Sequence, residues 1–173
     1  FEIISDKKNL LSSYQKNEIT NLLSVCSGHT GIAGGQELDL KFENKKKTVK
    51  QTLDMQRKKT GKLFNFCLQS VAIIANKNIN EKTVFGNIGE DIGLLFQFAD
   101  DFLDVKGSRK LVGKSINKDK KKGKSTLINL VGYKKANYYA DNLKKKILFK
   151  LKKYGKNAKD LINTIQFIQG RNF

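Results

Sequence analysis

From Phe96 to Asp104 the chain reads Phe-Gln-Phe-Ala-Asp-Asp-Phe-Leu-Asp, and its three carboxylates are the residues best suited to chemistry. Asp100 and Asp104 are one helical turn apart, so a helix projects both from one face, with Gln97 a turn earlier on that face and Asp101 beside them. Apart from these four and Gly93, every residue from Ile92 to Val105 is apolar. An ordinary surface helix with a solvated acidic stripe would show a wider polar face and more Lys or Arg pairing. Two carboxylates about 6 Å apart repel by roughly 3 kcal/mol at an effective dielectric constant of about 20. Three of them in an apolar helix therefore need a compensating cation. A site with few carboxylates and room for waters and phosphates suits Mg²⁺ better than a calcium cage. No His or Cys lies nearby to suggest zinc or iron. The chemistry expected here is a magnesium-phosphate site.

The lysines that follow gain meaning from that expectation. Gly113-Lys114 and Gly123-Lys124-Ser125-Thr126 lie in a basic, glycine-containing segment just after the carboxylates, from which lysines could reach metal-bridged phosphates. Gly123-Lys124-Ser125 is not the end of a P-loop, because position 118 is Lys118 where that motif needs Gly, and no strand precedes it. Lys59-Thr60-Gly61 falls in the middle of a helical stretch, where Gly61 allows a local break that exposes a carbonyl and the Thr60 hydroxyl. On its own that triplet is a weak signal, more often helix surface than site.

The elements that must position these groups all read as helices. Ile19, Leu22, Leu23 and Val25 to Cys26 repeat at helical spacing before Gly28, Gly31, Gly34 and Gly35, which either interrupt the helix or permit close contact. Residues 41 to 47 are a polar loop. A second helix is expected from Thr48 to Ala75, almost wholly apolar from Leu63 to Ala75 and so assigned to the middle of a bundle. A third runs from about Glu81 to Lys106, followed by a loop from Gly107 to Ser125. One helix is expected from about Thr126 to Tyr154, and a short one from Ala158 to Gln169. No alternating strand pattern, internal repeat or long low-complexity segment occurs.

Composition agrees with an all-α chain. The 173 residues contain no proline, where typical usage of roughly 5% predicts about eight or nine. At 39% hydrophobic residues they suffice for one sizeable core, and residues 1–173 are read as a single domain. Cys26 and Cys67 show no metal or disulfide spacing, no apolar run approaches the ~20 residues of a membrane span, and no signal peptide opens the chain at Phe1. A reducing, cytoplasmic setting is expected. The formal charge is +18, but only three basic residues, Arg57, Arg109 and Arg171, are Arg. Base-edge and bidentate phosphate recognition favour Arg, which argues against nucleic acid. Lys-biased composition is the simple explanation, and a cluster serving an anionic ligand is the sharper one.

Taken together, the motifs resemble a known family. Gly34-Gly35-Gln36-Glu37-Leu38-Asp39-Leu40, Lys59-Thr60-Gly61, Phe96 to Val105, Gly113-Lys114 and Gly123-Lys124-Ser125-Thr126 occur in the order and approximate spacing of the trans-isoprenyl diphosphate synthases, resembling the C-terminal part of bacterial farnesyl or geranylgeranyl diphosphate synthases. The resemblance implies a barrel of long helices around a central cavity, acting on an allylic diphosphate and isopentenyl diphosphate. It implies that Asp100, Asp101 and Asp104 bind Mg²⁺ bridging the allylic diphosphate, that Lys59, Lys114 and Lys124 hold diphosphate oxygens, and that Thr60 and Gln97 lie near the allylic carbon. Catalytic roles would then fall to Lys59, Thr60, Gln97 and Asp100. It also implies a homodimer. The family's first aspartate-rich motif would lie before Phe1, so the 173 residues are expected to be the C-terminal part of a longer synthase. The competing expectations are a non-catalytic subunit of a heteromeric synthase and a basic nucleic-acid-binding bundle.

Overall fold

A computed structural model describes residues 1–43, 45–111 and 126–170, the stretch 106–111 by its backbone alone. All regular structure among the described residues is helical, without strands. A short turn, α1 (Glu2–Ser5), leads into α2 (Ser13–Ser27), opened by a reciprocal capping box in which Ser12 Oγ accepts from the Gln15 amide and the Gln15 side chain accepts from Ser12 N–H. Gly28 ends it and α3 (Ile32–Lys41) begins four residues later. The glycine run therefore both interrupts the helix and permits close packing. A second capping box, Thr48 with Gln51, starts α4 (Val49–Gln56). The chain then winds without a break through a π turn (Arg57–Gly61) into α5 (Lys62–Ile74). Asn76, at φ 52°, turns it into the central helix, α6 (Ile79–Leu111).

Three sequence expectations are corrected here. Helix α6 continues through Gly107, where a loop was expected to begin, to Leu111. The single helix from Thr126 to Tyr154 is two, α7 (Leu127–Val131) and α8 (Tyr133–Leu151), because Gly132 sits at φ 80°, where an L residue is strained. A 3₁₀ turn (Lys152–Ala158) then leads to α9 (Lys159–Gly170). The apolar stretch of α5 is also not surrounded on all sides. Ala72 and Ile73 are buried, but Leu63, Val71 and Ile74 stay about half exposed along one face.

The core forms where α6 meets the other helices. Ile88, Ile92, Leu95 and Phe98 of α6 pack with Ala136, Ala140, Leu143, Ile147 and Leu151 of α8 and with Ile165 and Ile168 of α9. The α8 set recurs at i, i+4, i+7, i+11 and i+15, the stripe of a helix docked along its length. With α5 against α6 on one side and α8 and α9 on another, α6 becomes the rigid support from which its carboxylates project.

Candidate active site

The site forms where the π turn crosses α3 and α6. A π turn inserts one residue into the helical ladder and commonly marks a functional position. Here it carries Lys59 and Thr60 without the break that Gly61 suggested. Two glycines let neighbouring backbones press onto it. A Cβ at Gly35 of α3 would lie 2.2 Å from the Lys59 nitrogen, and one at Gly93 of α6 would lie 2.7 Å from the Gly61 Cα. Neither backbone could approach so closely past any other residue.

With the backbones this close, side chains from two helices join in one hydrogen-bonded row. Thr60 Oγ1 donates to Gln97 Oε1 at 3.1 Å, Gln97 Nε2 donates to Asp101 Oδ1 at 3.1 Å, and Gln56 Nε2 donates to Asp101 Oδ2 at 3.1 Å. Because the carboxylate can only accept, it fixes the Gln97 amide with its oxygen toward Thr60. Asp101 is 5% exposed. Burial pushes its carboxyl up to about 6, against the two amide donors and with the Asp104 and Asp100 charges raising it further.

The three aspartates predicted as one metal-binding set thus separate by environment. Asp101 turns into the protein and spends both oxygens on amides, while Asp100 is half-buried and Asp104 exposed. Among the described residues no three His, Cys, Asp or Glu side chains converge as a metal cage. As hard oxygen donors one turn apart on a rigid helix, Asp100 and Asp104 fit a magnesium ion that takes its other ligands from water and substrate phosphates. Lys59 Nζ rests on Asp39 Oδ2 of α3 at 2.6 Å. Lys62, the next basic residue, pairs with Glu90 at 2.6 Å instead of entering the site. Lys114 and Lys124 lie outside the described residues, whereas Thr126 caps α7 by accepting from the Asn129 amide.

Sequence reasoning missed three participants. Gln56 precedes Thr60 by one turn, a spacing that could have flagged it. Its Oε1 is buried without a hydrogen-bond partner. Asp39 lay inside a quoted motif but carried no role. Asp91, 2% exposed, receives Arg57 of the π turn at 3.0 Å and Lys150 and Lys146 of α8 at 3.0 and 3.1 Å. Burial raises its carboxyl, but the Lys150, Lys146 and Arg57 donors outweigh that and hold it below the usual carboxylate range. A small cavity of about 80 Å³ between α6, α8 and α9 includes none of these groups and belongs to the packing.

Known proteins resemble this chain in both sequence and fold. A farnesyl diphosphate synthase of Micrococcus luteus is 38% identical over 122 residues, covering 70% of the chain and 42% of that protein. A short chain isoprenyl diphosphate synthase of Methanocaldococcus jannaschii is 34% identical over 160 residues, 92% of the chain and 46% of that protein. Among solved structures, an FPP/GFPP synthase of Zymomonas mobilis matches with a TM-score of 0.82 at 31% identity, over 96% of the chain and 55% of its own. The geranyltransferase of Helicobacter pylori, crystallised with magnesium and isoprenyl diphosphate, matches at 0.77 and 29% identity, over 96% and 54%. The chain spans about half the length of the relatives it matches. The sequence profile of the polyprenyl synthetase family matches residues 3–165, and to that family the chain belongs.

Proposed function

We propose that this chain supplies the allylic-diphosphate half of a prenyltransferase that joins an allylic diphosphate to isopentenyl diphosphate. The observation that carries the reading is the row Thr60, Gln97, Asp101, beside Lys59 and on the same helix as Asp100 and Asp104. With its proton committed to Gln97, the Thr60 hydroxyl has only lone pairs left to offer. Those lone pairs, and the Gln97 carbonyl dipole, suit a developing allylic cation. Lys59, with Lys114 and Lys124, takes the diphosphate oxygens. A diphosphate carries more charge than the single carboxylate of Asp39 and draws the Lys59 ammonium from it. The allylic C–O bond breaks with its electron pair leaving on diphosphate, the isopentenyl double bond forms the new C–C bond, and the proton lost from the adduct passes to diphosphate. Mg²⁺, held by Asp100 and Asp104, would supply charge stabilisation to the leaving group.

A homodimer in a cytoplasmic setting goes with this reading. The half-exposed Leu63, Val71 and Ile74 of α5 support the dimer, and among the described residues no helix is long and apolar enough to cross a membrane. Asp101, turned inward onto the Gln56 and Gln97 amides, favours a second reading, a subunit that binds prenyl diphosphates without turning them over. The two separate when the full-length protein is incubated with labelled isopentenyl diphosphate, dimethylallyl diphosphate and Mg²⁺. Chain elongation that falls at least a hundredfold in Asp100→Ala is the expected result. Diphosphate binding with no elongation would establish the second reading.

A further inference from the structure

The positive charge of this chain is not evenly spread. Residues 1–105 carry 14 basic against 13 acidic side chains, and residues 106–173 carry 20 against 3. Lys-biased composition alone would raise both parts together. Within the described part of the charged region, residues 133–170 hold ten Lys, two Asp and no Arg.

Helix α8 concentrates that charge on one face. Lys134, Tyr138, Asn142, Lys145 and Phe149 fall within an arc of about 80° at 100° per residue, continued by Lys152, and all six are exposed. They stand opposite the buried Ala136, Ala140, Leu143 and Ile147. Along the helix the stripe runs about 27 Å. The acidic residue of α8, Asp141, is engaged by the Asn137 and Gln169 amides at 3.0 and 2.6 Å. Among the described residues, no carboxylate lies within ion-pairing distance of Lys134, Lys145 or Lys152. Phe149 is 76% exposed. Beside it Leu148, Leu151 and Ile162 line an open groove whose rim is Lys145 and Lys152.

From this we infer that the outer face of α8 docks on an anionic lipid surface, with Phe149 and the adjoining groove entering the acyl boundary and the lysines meeting the headgroups. One apolar anchor holds a protein to a membrane only marginally, and a polybasic patch supplies the second signal that stable attachment needs. A second copy of the chain is a poor occupant, since a two-fold contact would set lysine against lysine. Nucleic acid fits less well than lipid. The groove wall is mainly aliphatic, the cations are Lys without the planar Arg fork, and the two exposed aromatics of the stripe, Tyr138 and Phe149, stand about 16 Å apart along the helix, too far to stack successive bases.

Co-sedimentation of the full chain with phosphatidylcholine vesicles, with and without phosphatidylglycerol, tests this. Binding is expected only to the anionic vesicles, at low salt, and is expected to weaken at high salt. Each of Lys134→Gln, Lys145→Gln and Lys152→Gln should lower the partition coefficient about fivefold, and Phe149→Ala about tenfold. Lys77→Gln, in the near-neutral region, should leave it unchanged. All these positions are exposed, so the variants keep the fold, which circular dichroism checks. The inference is overturned by failure to sediment with anionic vesicles at low salt, or by binding indifferent to Phe149→Ala and the three lysine variants. Tighter binding to a single-stranded oligonucleotide than to the vesicles, sensitive to the lysines and not to Phe149, overturns it in favour of nucleic acid.

Discussion

The π turn is held on its two sides by opposite means. Against α3 and the glycines of α6 it is held by backbone contact, Gly35 on Lys59 and Gly93 on Gly61, where nothing but a missing side chain allows the fit. On its other flank Arg57 is held by charge, through a buried Asp91 that also draws in Lys150 and Lys146 from α8. Steric contact of this kind is short-ranged and indifferent to salt. The ion cluster is longer-ranged, joins three elements and depends on pH and ionic strength. Under the proposed function both are needed, because Lys59 and Thr60 sit between them.

The largest effect that separates the two sides is on the glycine side. Gly35→Ala places a methyl group against backbone that has no rotamer to yield, and a cost of about 3 kcal/mol, the upper end of overpacking, is expected in denaturant unfolding. The loss should be the same at low and high salt, and a salt-sensitive loss would break the distinction. Asp91→Ala comes next. Removing one partner of a buried ion pair costs about 3–5 kcal/mol, but its lysines are partly solvated, so about 2–3 kcal/mol is expected, reduced by salt. The Asp91 carboxyl lies below its unfolded value, so its contribution is present above that value and disappears as pH falls through the folded one. Acid unfolding below about pH 4 should therefore be blunted in Asp91→Asn.

Asp101 titrates in the opposite sense. Its folded value of about 6 exceeds the unfolded one, so its contribution is full below the unfolded value and is lost as pH rises through 6. Metal-free protein should gain about 2 kcal/mol between pH 7.5 and 4 from this group, and Asp101→Asn should flatten that part of the curve. The smallest effect is expected at the exposed pair of Asp54 with Lys58, 3.4 Å apart on the outer side of the same turn. There Asp54→Asn should cost below about 0.5 kcal/mol. A larger loss would show that charge on this turn matters even without burial.

Much of this was legible in the chain beforehand. Period-3.6 patterning located the long helices, because each buries a single stripe, whereas the capping boxes at Ser12 and Thr48 came only from the structure. The break at Gly132 was not legible either, since a lone glycine between apolar runs reads equally as a helix interior. Nor was the exposed face of α5. Hydropathy reports which residues are apolar, and not whether a neighbour is there to cover them.

At the site the division is sharper. The sequence by itself determined which groups stand together on one helix: Asp100 with Asp104 and Gln97, and Lys59 with Thr60, because a regular backbone converts spacing into direction. Only the tertiary structure decided that Asp101 turns inward to Gln56, that Gln97 receives Thr60, and that Lys59 rests on Asp39, contacts between residues 45, 37 and 20 positions apart. Contacts of that kind depend on how closely two backbones can approach, and here that distance was set by the hydrogen atoms of Gly35 and Gly93 standing where side chains would otherwise be.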